Sequence, residues 1–163
     1  MRMWVDADHC PAEIREIVCR AAKKNAVETL FVGNHPPRLA SSPFLKAVKA
    51  DGSDQAADRV LADSVEEGDM VVTADVPLAA SLVEKGALVL HPGGDLFTRE
   101  NIRHRLSLRD FLTRLRGVGV DTHDPARYKR SPGRRFAAVF DRELHRALRS
   151  RPGSAGGAGS PAN

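Results

Sequence analysis

The chain has 163 residues, with 25 Lys/Arg against 21 Asp/Glu and only 5% aromatic residues. That length suits one domain with a real core built mainly from Val, Leu and Ala. Its longest apolar runs are far too short to span a bilayer. Two cysteines, Cys10 and Cys19, in no C-x-x-C pair exclude a disulfide framework and a thiolate metal site. A reduced, cytoplasmic protein without a cleaved leader is the expectation. The charge is split along the chain. Residues 1–95 hold 10 Lys/Arg against 15 Asp/Glu, a net of −5, and residues 96–163 hold 15 against 6, a net of +9. Acids gathered for a cation and a basic surface gathered for a polyanion would produce this split, and so would soluble basic helices.

In chain order, residues 3–11 (Met-Trp-Val-Asp-Ala-Asp-His-Cys-Pro) read as a strand buried on both faces, an acidic loop and a helix start at Pro11. A helix over 12–24 follows, with Ile14, Ile17, Val18 and Ala21 on one face. Strands are expected at 27–32 and, more weakly, at 44–48, separated by a loop that contains Pro36 and Pro37. A helix over about 54–66, capped by Ser53 or Asp54, is followed by a strand at 70–73. Pro77 opens a helix over 78–85, Gly86 closes it, and the last strand is 87–90. Strands alternating with helices over short connections define an α/β parallel sheet with helices on both faces. From Thr98 the pattern is helical only. Thr98 and Ser107 are the expected caps, and Ile102, Leu106, Phe111, Leu112 and Leu115 form a stripe suited to packing on the sheet. A final helix begins at Ser131-Pro132, with Phe136, Val139, Phe140, Leu144 and Leu148 inward. Residues 1–150 are the expected domain, basic and helical from about 98, and 151–163 a disordered tail whose Pro/Gly/Ala/Ser composition supplies no core.

The chemistry-bearing residues fall at strand ends. Asp6 and Asp8 follow the first strand, and side chains two apart on an extended chain point the same way. Two hard oxygen ligands side by side suit magnesium or manganese; a strand-end acid and a helix cap would look the same. Asp75 follows the strand at 70–73, and Thr73 is placed to orient a carboxylate or a water. Arginines between 99 and 116, among them Arg103, Arg105 and Arg109, form a face able to track a phosphate backbone. Few aromatics argue against readout by base stacking. Cys10 reads as core, and His9 and His91 as histidines near the same sheet edge.

Residues 67–79 (Glu-Gly-Asp-Met-Val-Val-Thr-Ala-Asp-Val-Pro-Leu-Ala), together with 4–11 and with shorter pieces at 84–87, 98–103 and 107–111, resemble the YaiI/YqxD family of uncharacterised bacterial proteins. That family is similar in turn to the PIN-like superfamily, many of whose members are metal-dependent ribonucleases. The resemblance implies a three-layer α/β/α fold with a parallel sheet in order 3-2-1-4-5 and extra C-terminal helices. It also implies acids at the carboxyl edge that hold divalent metal. Asp6 and Asp8 would meet Asp75 at the switch point between strands 1 and 4, and a helical acid, Asp58 or else Asp54, would complete the set. The chain departs from the family pattern in three places. It has Pro92-Gly93-Gly94 where the family has Pro-Arg-Gly, one extra residue within 52–58, and His9 in place of a small residue.

The resulting expectation is a divalent-metal-dependent nuclease acting on RNA or another single-stranded nucleic acid. Asp6, Asp8, Asp58 and Asp75 would be its catalytic and Mg2+- or Mn2+-binding residues, and Thr73, Arg103, Arg105 and Arg109 its substrate contacts. One alternative is a noncatalytic RNA-binding module. Another is a phosphohydrolase of the haloacid-dehalogenase kind, with Asp6 as nucleophile and Asp8 as acid/base. That chemistry also needs a lysine before a late strand and an acidic pair after it, for which Lys85 and Gly68-Asp69 are misplaced. No membrane is implicated, and the oligomeric state is left open.

Overall fold

The computed structural model describes residues 1–53, 55–119 and 132–150. Along them run β1 (Met3–Asp6), α1 (Ala12–Asn25), β2 (Thr29–Gly33), β3 (Leu45–Lys49), α2 (Ala56–Ser64) and β4 (Met70–Val72). Then come α3 (Val76–Glu84), β5 (Leu88–Leu90), β6 (Leu96–Phe97), α4 (Ile102–Gly117) and α5 (Pro132–Arg149). The expected tail at 151–163 and Asp54 lie outside the described residues.

The strands form one sheet in the order β3-β2-β1-β4-β5-β6. The first five are parallel, as expected, and β6 adds an antiparallel edge through Val89↔Phe97 and Leu90↔Leu96. β6 was not legible because two residues carry no period. At the other edge, β3 presents Lys46 and Lys49 to solvent.

Side chains alternate across the sheet, so each strand feeds two cores. Met3, Val5, Phe31, Met70, Val72 and Leu90 face one way and meet Ile14, Val18 and Ala22 of α1 with Phe136, Phe140 and Leu144 of α5. The Phe136 and Phe140 rings stack with centroids 5.1 Å apart. Trp4, Val32, Val71 and Val89 face the other way, under Leu61 of α2, Leu82 of α3 and Ile102 of α4. The product is a three-layer α/β arrangement.

α4 departs from expectation. Only Ile102 of its stripe is buried; Phe111 is 57% exposed and Leu108 44%. The sheet face it would have covered is already closed by α2 and α3, so α4 leans on α3 instead. Its cap is a reciprocal pair: the Thr98 amide donates to Asn101 Oδ1 at 3.0 Å and the Asn101 amide to Thr98 Oγ1 at 3.2 Å. Ser107 lies inside the helix and caps nothing.

The amino edge of the sheet is tied by a buried carboxylate, Asp69, just before β4. It accepts from the Arg2 amide at 2.7 Å, Trp4 Nε1 at 2.9 Å and the Glu66 amide at 3.2 Å. Removing a carboxylate that serves three buried or half-buried donors leaves them unsatisfied, at about 1–3 kcal/mol for each that water does not reach. Asp69→Ala is therefore expected to lower the unfolding free energy by at least about 2 kcal/mol, and Asp69→Asn by less, as read from urea midpoints. An unchanged midpoint for Asp69→Ala would show that the tie is dispensable.

Candidate active site at the carboxyl edge

β1 lies between β2 and β4, so its carboxyl end is the place where connections leave in opposite directions and a crevice forms. Asp6 closes β1 there with no solvent exposure. Its Oδ2 accepts from Thr73 Oγ1 at 2.9 Å and lies 3.1 Å from His9 Nδ1. The Thr73 hydroxyl accepts in turn from the Asp75 amide at 3.0 Å. One buried threonine thus links the acid after β1 to the acid after β4, and its hydroxyl faces those two residues. Asp75 caps α3, its Oδ1 accepting from the Leu78 amide at 2.7 Å, with Pro77 in the first turn.

Asp8 goes elsewhere. The extended backbone stops at Asp6, and Asp8 turns towards β2 while Asp6 turns towards β4. Asp8 accepts from the Asn34 amide at 2.7 Å and the His35 amide at 3.2 Å. Gly33 makes room for it, since a Cβ there would sit 2.8 Å from Asp8 Oδ1. Asp8 does not cap α1, whose N-terminal residue makes no side-chain cap bond.

Asp58 stands in the first turn of α2. Burial, then the charges of Asp75 and Asp6, hold its carboxyl above the usual range, with His9 opposing. All four expected acids therefore share one electrostatic neighbourhood, with Asp8 its weakest contributor. For His9, burial works against the charged ring, but attraction and hydrogen bonding to Asp6 outweigh it and raise the imidazole, helped by Asp58 and Asp75. Cys10 is buried, which pushes its thiol up to about 12, so it serves as core.

Carboxylate oxygens are the right kind of donor for a hard divalent cation. They are not assembled as one: among the described residues no group of three or more His, Cys, Asp or Glu is arranged to hold a metal ion. Asp8 commits both of its oxygens to backbone amides, and Asp75 commits one.

Beside Asp75 opens a cleft of about 360 Å³, walled by His91, Phe97, Arg105, Arg109 and Arg116. Arg105 pairs with Asp95 at 3.1 Å and lies over the Phe97 ring, 5.8 Å from its centroid. Asp95 also pairs with Arg135, which joins the cleft to α5. Arg109 reaches Asp110 at 3.2 Å and also lines a second cleft, of about 260 Å³, with Asp58 and Asp75. Arg103 is exposed and lines neither. A Cβ at Gly93 would sit 2.9 Å from His91 Nδ1, so a larger residue there displaces the imidazole. Arg116, Asp95 and the His9–Asp6 pair were not singled out as site features. The i, i+3 spacing of Asp6 and His9 was the one local signal. Asp69 lies at the opposite edge from Asp6, which leaves a dehalogenase-type phosphohydrolase without its second acidic pair.

Fold and site together define a three-layer α/β protein with acids at the switch point and an arginine-walled cleft beside them. The chain belongs to the YaiI/YqxD family of uncharacterised bacterial proteins, whose profile matches residues 4–146. It is 44% identical over 149 residues to a UPF0178 protein of Saccharophagus degradans, covering 91% of this chain and 99% of that one. It is 43% identical over 152 residues to a UPF0178 protein of Myxococcus xanthus, covering 93% and 99%. No solved structure matches. No helix among the described residues is long and apolar enough to cross a membrane.

Two titrations test the electrostatics. His9 has a raised value in the fold, so its contribution is fully present below about pH 6.5 and is lost as pH rises through the raised value. His9→Ala is expected to lower the melting temperature in mildly acidic buffer and to converge on wild type in alkaline buffer. Asp58 also has a raised value, but as an acid it costs stability once ionised. That cost appears as pH rises above about 3.8 and is complete once the pH has passed the raised value. Asp58→Asn in chelator is therefore expected to melt slightly higher than wild type at neutral pH and level with it in strong acid. The gain is small because Asp58 is partly solvated. A lower melting point at neutral pH would remove the repulsion from the account.

Proposed function

We propose that this protein is an RNA-cleaving nuclease that works at the carboxyl edge of its sheet with a divalent cation, Mg2+ or Mn2+, taken from solution. The observation that carries the reading is Asp58, a carboxyl raised first by burial and then by Asp75 and Asp6. Like charges gathered at strand ends lower stability until a proton or a cation relieves them. Asp6, Asp58 and Asp75 would hold the cation, which would supply charge neutralisation at a phosphate and orientation of a water. Within the chain itself, Thr73 and His9 fix the Asp6 carboxylate. Arg105, Arg109 and Arg116 offer guanidinium groups to a phosphate backbone in the cleft beside Asp75. The resemblance of the family to the PIN-like superfamily, drawn from the sequence, agrees with the same reading.

A second reading, RNA binding without turnover, is favoured by the oxygens that Asp8 and Asp75 give to backbone amides. Thermal unfolding and cleavage assays separate the two. Manganese at a hundredfold excess over its dissociation constant is expected to stabilise wild type by about 2.7 kcal/mol, a shift of a few degrees. It should also support cleavage of RNA oligomers but not of small phosphate monoesters. Asp6→Asn, which keeps an acceptor for Thr73, should lose both the shift and the cleavage. RNA binding with neither shift nor cleavage in wild type would establish the noncatalytic reading; cleavage retained in chelator would overturn the cation's part.

A further inference from the structure

Four neighbouring depressions share lining residues, three of them at the carboxyl edge and a fourth that runs along α1 towards Leu45, where β3 begins. The arginine cleft on α4 shares Asp75 and Arg109 with the cleft over Asp58. That cleft shares Gln55 with an open depression of about 590 Å³ around Asp8, His9 and His35. The depression shares Arg15 with a groove of about 370 Å³ between α1 and the segment 37–40. The path therefore begins among arginines, crosses the acids and reaches a second set of cations: Arg15, Arg20, Lys23 and Arg38, against the single acid Glu16. Arg15 is committed to the chain, its Nη1 donating to the Cys10 carbonyl at 2.8 Å. Arg20, Lys23 and Arg38 make no side-chain hydrogen bond or ion pair among the described residues. Burial pushes the Cys19 thiol in the groove wall up, so it adds no negative charge. Pro37, Leu39 and Leu45 give the groove an apolar wall without an aromatic ring.

We propose that the groove between α1 and the segment 37–40 is a second phosphate-binding site, which takes one flank of a single-stranded RNA whose other flank lies on the α4 arginines. The proposal rests on the RNA reading above and gives the substrate a form. It is a strand long enough to continue on both sides of the acids, so that the bond over Asp6, Asp58 and Asp75 is internal and not terminal. Three exposed cations without side-chain partners among the described residues suit phosphates that exchange counterions for them. Cations that reach the phosphates position the strand and carry no base readout.

The test compares a short oligouridylate, able to cover one basic end only, with a long one, by fluorescence anisotropy across a salt series. The proteins are the full chain and its R20A/K23A/R38A variant, whose fold is checked by its melting temperature. Each lost phosphate contact flattens the log–log salt slope by about 0.7 on single strands, so the long strand should lose about 2 from its slope. Short-strand binding through α4 should keep its slope in the variant and lose it in R109A/R116A. A long-strand slope unchanged in the triple variant overturns the second site and leaves the RNA reading standing. Absence of binding by wild type to either strand overturns both.

Discussion

A fully buried carboxylate has to be satisfied from within, and Asp6 sets that constraint on the protein. It ends the strand that pairs on both sides, so the residues that answer it must come from the neighbouring connections. Thr73, after β4, donates to it, and His9, in the turn after β1, lies against it. Because the same threonine hydroxyl accepts from the Asp75 amide, the end of β4 and the start of α3 are fixed relative to Asp6. The acids at the switch point are held by the fold first; whatever chemistry they perform is superimposed on that requirement.

Charge is organised on two levels. Close to the sheet, Asp69 and Asp6 sit at opposite ends of the paired strands β1 and β4 and are each spent on defined donors. Farther out, Asp95 gathers Arg105 and Arg135 and so ties α4 and α5 to the turn after β5. α4 buries little, so its place depends on such ties and on α3, and its arginines stay solvated. The opposition between an acidic first part and a basic second part becomes, in space, an acidic crevice with a basic wall.

The sheet and its helices were legible because their signals are periodic. Buried parallel strands read as apolar runs, and helices such as α1 and α5 show an apolar face over several turns. β6 was too short to show a period. The stripe on α4 was real as a pattern, but a pattern does not say whether the sheet still has an open face to receive it. The acids were legible as positions and not as partners. Asp6 and Asp8 differ by two residues and diverge because the strand ends between them, which the spacing alone does not encode. Asp75 was expected as a metal ligand; the structure makes it the cap of α3 and leaves its second oxygen uncommitted to that bond. The Thr73 bridge depends on β1 and β4 being neighbours, a fact of topology 67 residues apart in the chain.

The two borders of the sheet are finished differently. On one side the short antiparallel β6 takes up hydrogen bonds of β5 and offers little ladder of its own. On the other, β3 is a five-residue parallel strand whose outer backbone groups have no strand beside them. Lys46 and Lys49 project from it. A foreign strand that tried to extend the sheet there would have to bury or crowd those ammonium groups, which is how edge lysines discourage aggregation. The open border thus carries its own charged guard against strand addition, without giving up any of the core to protect that edge.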